Sequence, residues 1–122
     1  MQSEALTATE AECAAGRTAP RVSLADLEDS IVGEPYFTAA QAVNATMRDG
    51  TLLADDNRTL VPDSFGVLTI CLLAVRNGFT IVGKSAPADA ANFDPLLGRK
   101  LAYEDAVRQL WPLMGDALRA EL

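Results

Sequence analysis

Val67-Leu68-Thr69-Ile70-Cys71-Leu72-Leu73-Ala74-Val75, then Arg76-Asn77-Gly78, then Phe79-Thr80-Ile81-Val82-Gly83-Lys84, is the stretch on which the fold of this 122-residue chain turns. Two runs of β-branched and aliphatic residues flank an Asn-Gly pair, and Asn-Gly is the pair that best tolerates the positive φ angles of a tight hairpin turn. The spacing predicts antiparallel strands over 67–75 and 79–84, joined by a two-residue type I′ turn at Asn77-Gly78. With that turn Arg76 pairs with Phe79, Ala74 with Ile81, Leu72 with Gly83 and Ile70 with Ser85, which gives a face that is apolar except at its ends. The opposite face pairs Val75 with Thr80, Leu73 with Val82 and Cys71 with Lys84. Both faces carry apolar residues, so both need cover.

Helices supply candidates for that cover on either side of the hairpin. Downstream, residues 85–92 read as a loop or short helical turn ending at Phe93, which is expected to tuck into the core. Asp94-Pro95 then pairs an N-cap acceptor with proline at the first helical position, and predicts a helix from 95 to about 111. Pro112 removes a backbone donor and is expected to kink or interrupt that helix before a last stretch over 113–122. Upstream, Ser23 with Asp26 three positions on opens a short helix whose Leu24, Leu27 and Ile31 share a face, until Gly33 and Pro35 stop it. A second short helix is predicted over 38–47. Asp55-Asp56-Asn57 and Pro62 mark turns between them and the hairpin, with 52–53 and 60–61 as at most short extended pieces. Residues 1–21 hold one large aliphatic residue, Leu6, and end in Pro20-Arg21, so they read as a flexible tail that adds little to the core. The fold class is therefore α+β: an antiparallel hairpin or small sheet packed on a long C-terminal helix and short N-terminal helices, in a single domain over 22–122.

Composition narrows the functions available. Nearly half the residues are hydrophobic, enough for one modest core. The net charge of −7 is uneven, because residues 1–63 hold eleven acids against four arginines while residues 64–122 are balanced. An acidic chain without a basic run is a poor ligand for duplex nucleic acid, which requires clustered phosphate-neutralising cations. The sequence has no apolar run near 18 residues and no signal-like start, which predicts a chain that neither spans a membrane nor leaves the cytosol. In that reducing compartment Cys13 and Cys71 read as free thiols.

Catalytic signatures are scarce. Without histidine the usual proton-transfer group near neutral pH is missing, together with Ser-His and Cys-His nucleophile pairs. Two cysteines without ligand spacing do not make a zinc site, and neither a Walker loop nor Gly-x-Gly-x-x-Gly is present. The reading is a non-enzymatic protein with no cofactor or metal.

The long helix carries the candidate site. At about 100° per residue its apolar positions fill an arc of roughly 220°, and Arg99, Lys100 and Glu104 fall inside that arc among Leu96, Leu101 and Tyr103. Three readings stay open for these cations. Their stems can cover apolar surface with the heads in water or on acids, they can make salt bridges between chains, or they can line a pocket for an anion. In the last case Arg99 would hold a phosphate bidentately and Lys100 would act as a point charge. Arg76 at the hairpin mouth, Lys84, Ser85, Asn92 and Tyr103 are the outer candidates.

Leu68-Thr69-Ile70-Cys71, Arg76-Asn77-Gly78-Phe79-Thr80, Gly83-Lys84-Ser85-Ala86, Asn92-Phe93-Asp94, Gly98-Arg99-Lys100-Leu101-Ala102 and Trp111-Pro112-Leu113 together resemble one small family of tailed-phage proteins, named after gene product 49 of coliphage N-four and gene 66 of a Shigella phage. The likeness runs over about 23–122 and leaves the first residues unmatched. Glu104-Asp105-Ala106 departs from the Glu-Asn-Ala frequent in similar proteins, which puts a ligand role for Asp105 in question, and Pro87 stands where relatives tend to have a small residue or cysteine. The resemblance implies a phage or prophage origin and action in a bacterial cytoplasm. By analogy of gene context, such accessory proteins act against host defences, and several unrelated ones are homo-oligomers that sequester cyclic or ADP-ribose-type nucleotides in basic pockets. The leading expectation is accordingly a homo-oligomeric sponge for an anionic, nucleotide-like molecule. The runner-up is an acidic inhibitor or adaptor that docks on a host protein.

Overall fold

A computed structural model describes residues 3–14, 22–50 and 61–121, and the Asp55-Asp56-Asn57 turn lies outside them. In chain order the elements are α1 (Glu4–Ala14), α2 (Leu24–Asp29), β1 (Ile31–Gly33), β2 (Tyr36–Thr38), α3 (Ala39–Arg48), α4 (Asp63–Gly66), β3 (Thr69–Val75), β4 (Thr80–Ser85) and α5 (Pro95–Glu121), with a 3₁₀ turn at Ala90–Asn92. This is the α+β arrangement read from the sequence, with a four-stranded antiparallel sheet in place of a bare hairpin.

β3 is the central strand because it is the longest apolar run and has partners on both edges. β4 pairs along one edge, while β2 and β1 lie end to end along the other, Tyr36 to Thr38 opposite Cys71 to Thr69 and Ile31 opposite Val75. These two strands are missing from the sequence reading, which carries α2 on through Ile31. The helix ends at Asp29, where Ser30 caps it through its backbone N–H. Ile31 and Val32 are β-branched and sit beside an unpaired strand edge, so pairing outcompetes another helical turn.

The hairpin register differs by one residue from the sequence reading. Val75 and Phe79 close the ladder, with the Val75 N–H donating to the Phe79 carbonyl at 3.0 Å, and the Gly78 N–H donates to the Val75 carbonyl at 2.9 Å. Gly78 has φ 99°, but Asn77 does not reach positive φ, so the connection is a three-residue loop with glycine in the left-handed position rather than a type I′ turn. The consequence is that Ile81 faces Leu73, Gly83 faces Cys71 and Ser85 faces Thr69. The buried face is therefore Thr69, Cys71, Leu73 and Val75, the set the two-residue turn assigns to the mixed face.

α5 crosses that face. Gly83 and Gly98 permit the approach: a Cβ on Gly83 would overlap Ala102 and Ala106 of the helix, and one on Gly98 would lie 2.7 Å from the Thr69 hydroxyl. Leu24, Leu27, Cys71, Leu73, Val75, Ala102, Tyr103, Ala106, Val107 and Leu110 form the core with Leu6. α5 runs unbroken through Pro112. Proline at 112 leaves the carbonyl of Arg108, one turn back, without its helical donor. Both residues are exposed, so water can satisfy that carbonyl and the expected interruption does not occur.

Residues 4–14 are helical where the sequence predicts a tail, and Leu6 is fully buried. Ser3 caps this helix through Leu6 N–H at 3.1 Å and donates its hydroxyl to the buried Glu104, while the Glu10 carboxylate accepts from the Leu24 N–H. One leucine and two polar anchors suffice to dock a helix whose composition alone carries no amphipathic pattern. The sheet face away from α5 is only partly covered: Val32 and Val82 are 63% and 56% exposed.

Candidate functional site

Where β2 passes into α3, Thr38 is both the last strand residue and the helix N-cap. Its Oγ1 accepts from the Gln41 N–H at 3.2 Å, and Gln41 Oε1 accepts from the Thr38 N–H at 2.8 Å. This capping box fixes both side chains and satisfies two otherwise orphan amides. Opposite, α5 begins at Pro95 with Asp94 accepting from the Leu96 and Leu97 N–H groups at 3.0 and 3.4 Å. The two helix starts and the end of β3 enclose a half-open hollow of about 210 Å³.

The hollow is lined by Phe37, Thr38 and Gln41 from β2 and α3, by Phe93, Pro95 and Arg99 from the start of α5, and by Thr69 of β3. Arg99 is the only charged residue among them. Its guanidinium lies over the Tyr36 ring, 5.8 Å from the centroid, a cation–π contact that holds the head at the rim. No carboxylate among the described residues forms an ion pair with it. The first turn of α3 contains no acid, so the partial positive charge of that helix start is uncompensated on the same side. The lining thus carries one cation and the neutral polar side chains of Thr38, Gln41 and Thr69, with the Asp94 carboxylate next to Pro95 at its edge.

Tyr36 also belongs to a partly buried polar cluster. Tyr36 donates its hydroxyl to Glu34 Oε2 at 2.9 Å, and Tyr103 donates to Glu28. Burial pushes both phenols well above their ordinary range, and the neighbouring carboxylates push the same way. Burial also pushes the Cys71 thiol up to about 11, against a lowering contribution from its bond with Tyr36. A thiol held protonated and fully buried is a poor nucleophile.

The sequence candidates do not converge on the hollow, Arg99 excepted. Lys100 is half-buried and sits about 100° farther round α5, so it does not line the hollow. Tyr103 is fully buried in the core on Glu28. Arg76 donates to the Asp29 carbonyl at 3.1 Å, at the far end of β3 and roughly 20 Å along the strand from Thr69. Lys84 is exposed on β4, with its backbone N–H on Asp105 Oδ2 at 3.0 Å. Ser85 is half-buried opposite Thr69, and Asn92 is exposed in the 3₁₀ turn.

Asp105 also accepts from Gln109 Nε2, which in turn donates to the Val82 carbonyl, both at 3.0 Å. This side-chain pair occupies the outer edge of β4, and so gives Asp105 a structural task. The sequence reading places Phe93 in the core, and its site candidates do not include Phe37, Thr38, Gln41, Thr69 or Pro95. The Thr38-x-x-Gln41 spacing is a capping-box signature and was the available signal for one wall.

Among the described residues, no group of three or more acids and cysteines is placed to hold a metal ion, and no helix is long and apolar enough to cross a membrane. The model of a family described as Phage protein (N4 Gp49/phage Sf6 gene 66) matches residues 22–122, a span that includes every residue of the hollow and excludes α1. No curated protein and no solved structure matches the chain.

Proposed function

The chain belongs to the N4 Gp49/phage Sf6 gene 66 family of phage proteins, and from that premise we propose that it binds and sequesters a phosphorylated small molecule, without transforming it, at the hollow beside Arg99. The observation that carries this reading is the charge balance of the hollow: one guanidinium with no ion-pair partner among the described residues and no acid in the lining, in a chain of net charge −7. A planar guanidinium matches phosphate oxygens bidentately, and the Thr38 and Thr69 hydroxyls and the Gln41 amide can add neutral donors. Its narrower form is a sponge for a host immune nucleotide of cyclic or ADP-ribose type, acting in the bacterial cytoplasm. Self-association through the open sheet face bearing Val32 and Val82 belongs to the same reading.

Thermal unfolding against a panel of cyclic dinucleotides and cyclic ADP-ribose isomers tests it. A ligand at about 100 times its Kd adds about 2.7 kcal/mol, which for a chain of this length raises Tm by roughly 10 °C. Arg99→Ala should unfold like the parent without ligand and show no rise with it. A panel without any shift favours the second reading, an acidic adaptor for a basic host surface, for which the exposed Asp26, Asp29, Asp49 and Asp63 speak. Such a complex would weaken steeply with salt.

A further inference from the structure

We propose that the sheet face turned away from α5 is a self-association surface, on which a second copy of this chain packs face to face about a two-fold axis passing near Leu72 and Val82; this deepens the self-association named above and does not depend on the anion site. On β3, Thr69, Cys71, Leu73 and Val75 are buried toward α5, and Ile70, Leu72 and Ala74 between them are half-buried on the other face. Phe37 pairs with Ile70 and Val82 with Leu72, so both side chains join that face, where Val82 is 56% exposed. An antiparallel sheet with one face toward water carries polar residues on it. Five contiguous apolar side chains mark instead a face that needs a partner. Edge pairing is closed as a competing route. The Lys84 N–H and the Val82 carbonyl of β4 are taken by Asp105 and Gln109, and the opposite edge is two three-residue strands parted by Glu34 and Pro35.

The face is complementary to itself. It steps down along β3: Phe37 and Ile70 make one end, Leu72 and Val82 the middle, and Ala74 the other, with Gly33 of β1 beside Ala74. A two-fold axis across the strands at the middle reverses the second sheet, and so lays the bulky end of each copy on the small end of the other. Charge selects the same arrangement. Lys84 is the only charged residue in the four strands; it lies beside Ile70, while Thr80 lies beside Ala74. The reversed packing sets each Lys84 over the partner's Thr80 and keeps the two ammonium groups roughly 13 Å apart, beyond the screening length of about 8 Å. An axis along the strands would stack lysine on lysine. Elsewhere two chains of net charge −7 repel, so this nearly neutral face is where they meet at least cost. Strands about 4.8 Å apart and a rise of about 3.3 Å per residue give the face roughly 14 by 23 Å, the small end of specific interfaces, so the dimer is expected to depend on concentration.

Sedimentation equilibrium of the full chain from about 10 to 500 µM tests this. The expected result is a mass that rises with concentration from 12.9 kDa toward twice that value and stops there. Val82→Asp puts an unpaired charge at the centre of the contact and should weaken association by a factor of about ten or more, with circular dichroism confirming the fold of a variant changed at an exposed position. Thr80→Lys should weaken it too, because lysine then lies over lysine, and adding Lys84→Asp should restore it; loss without rescue overturns the reversed arrangement. Arg99→Ala should leave the dimer unchanged, which keeps failure here distinct from failure of the anion reading. A chain that stays at 12.9 kDa throughout overturns the proposal. So does a Val82→Asp protein that associates like the parent, which would move the contact to the exposed Leu97 and Leu101 of α5.

Discussion

Replacing Gly83 by alanine probes the close approach of α5 to β4. The added Cβ would lie 2.6 Å from the Ala106 Cβ and 2.7 Å from the Ala106 amide nitrogen, and closer still to the Ala102 carbonyl oxygen. Two of these three obstacles are backbone atoms of α5, which cannot rotate away as a side-chain end does. To restore an ordinary separation of about 3.5 Å the helix must retreat by roughly 1 Å from β4. That retreat loosens the packing of Ala102, Ala106 and Val107, all fully buried, and stretches the bonds of Asp105 and Gln109 to the β4 edge. Overpacking costs about 1–3 kcal/mol, and each weakened hydrogen bond adds about 0.5–1.5 kcal/mol, so a loss of about 3 kcal/mol is expected. At about 4 °C per kcal/mol for a chain of this length, Tm falls by roughly 12 °C. Thermal and urea unfolding followed by circular dichroism would measure it. Gly66→Ala is the control, because nothing lies within 4 Å of a Cβ there. A Gly83→Ala protein that melts within about 3 °C of the parent would refute the packing of α5 on β4 described above.

Three further outcomes follow from the same geometry. Leu6→Ala should cost about 2–3 kcal/mol in urea unfolding, because this fully buried side chain anchors α1; a change under about 0.5 kcal/mol would return residues 4–14 to the status of a tail. Stability should fall as pH rises through the alkaline range. The Cys71 thiol titrates near 9.0 when unfolded and near 11 when folded, so below pH 9 it makes no difference, and between 9 and 11 the unfolded state loses its proton first. The slope approaches about 1.4 kcal/mol per pH unit for this one proton, the raised Tyr36 and Tyr103 phenols steepen it above pH 10, and a flat urea midpoint from pH 8 to 11 would contradict it. Asp105→Ala should cost about 1 kcal/mol and expose the β4 edge to pairing between chains, visible as higher-order species by size exclusion, while Asp105→Asn keeps an acceptor for the Lys84 N–H and should remain like the parent.

Much of the architecture is legible in the sequence. The β-rich runs about Asn77-Gly78, the Asp94-Pro95 start and the Ser23 cap are local signals, and each produced the expected element type. The site was less legible. Arg99 stood out because a charge inside an apolar arc needs an explanation. Its partners did not, since Phe37, Thr38, Gln41 and Thr69 are far from it in sequence, on different elements, and individually unremarkable. Lys100 shared the same periodicity argument but points elsewhere, because an apolar arc wider than one contact face cannot say which neighbour each position meets.

Local chemistry in the chain therefore determined the α+β class, the helix starts and the two hairpin strands, and marked Arg99 as a cation inside an apolar arc. Tertiary contacts decided the rest: which face of β3 is buried, the pairing of Ile31–Gly33 and Tyr36–Thr38, the docking of Glu4–Ala14 and the composition of the hollow. The reason is physical. Turn and cap preferences are settled within a few residues, but a strand register changes by one residue on the φ of a single asparagine. A short segment becomes strand or helix according to whether an unpaired edge or a groove is there to receive it.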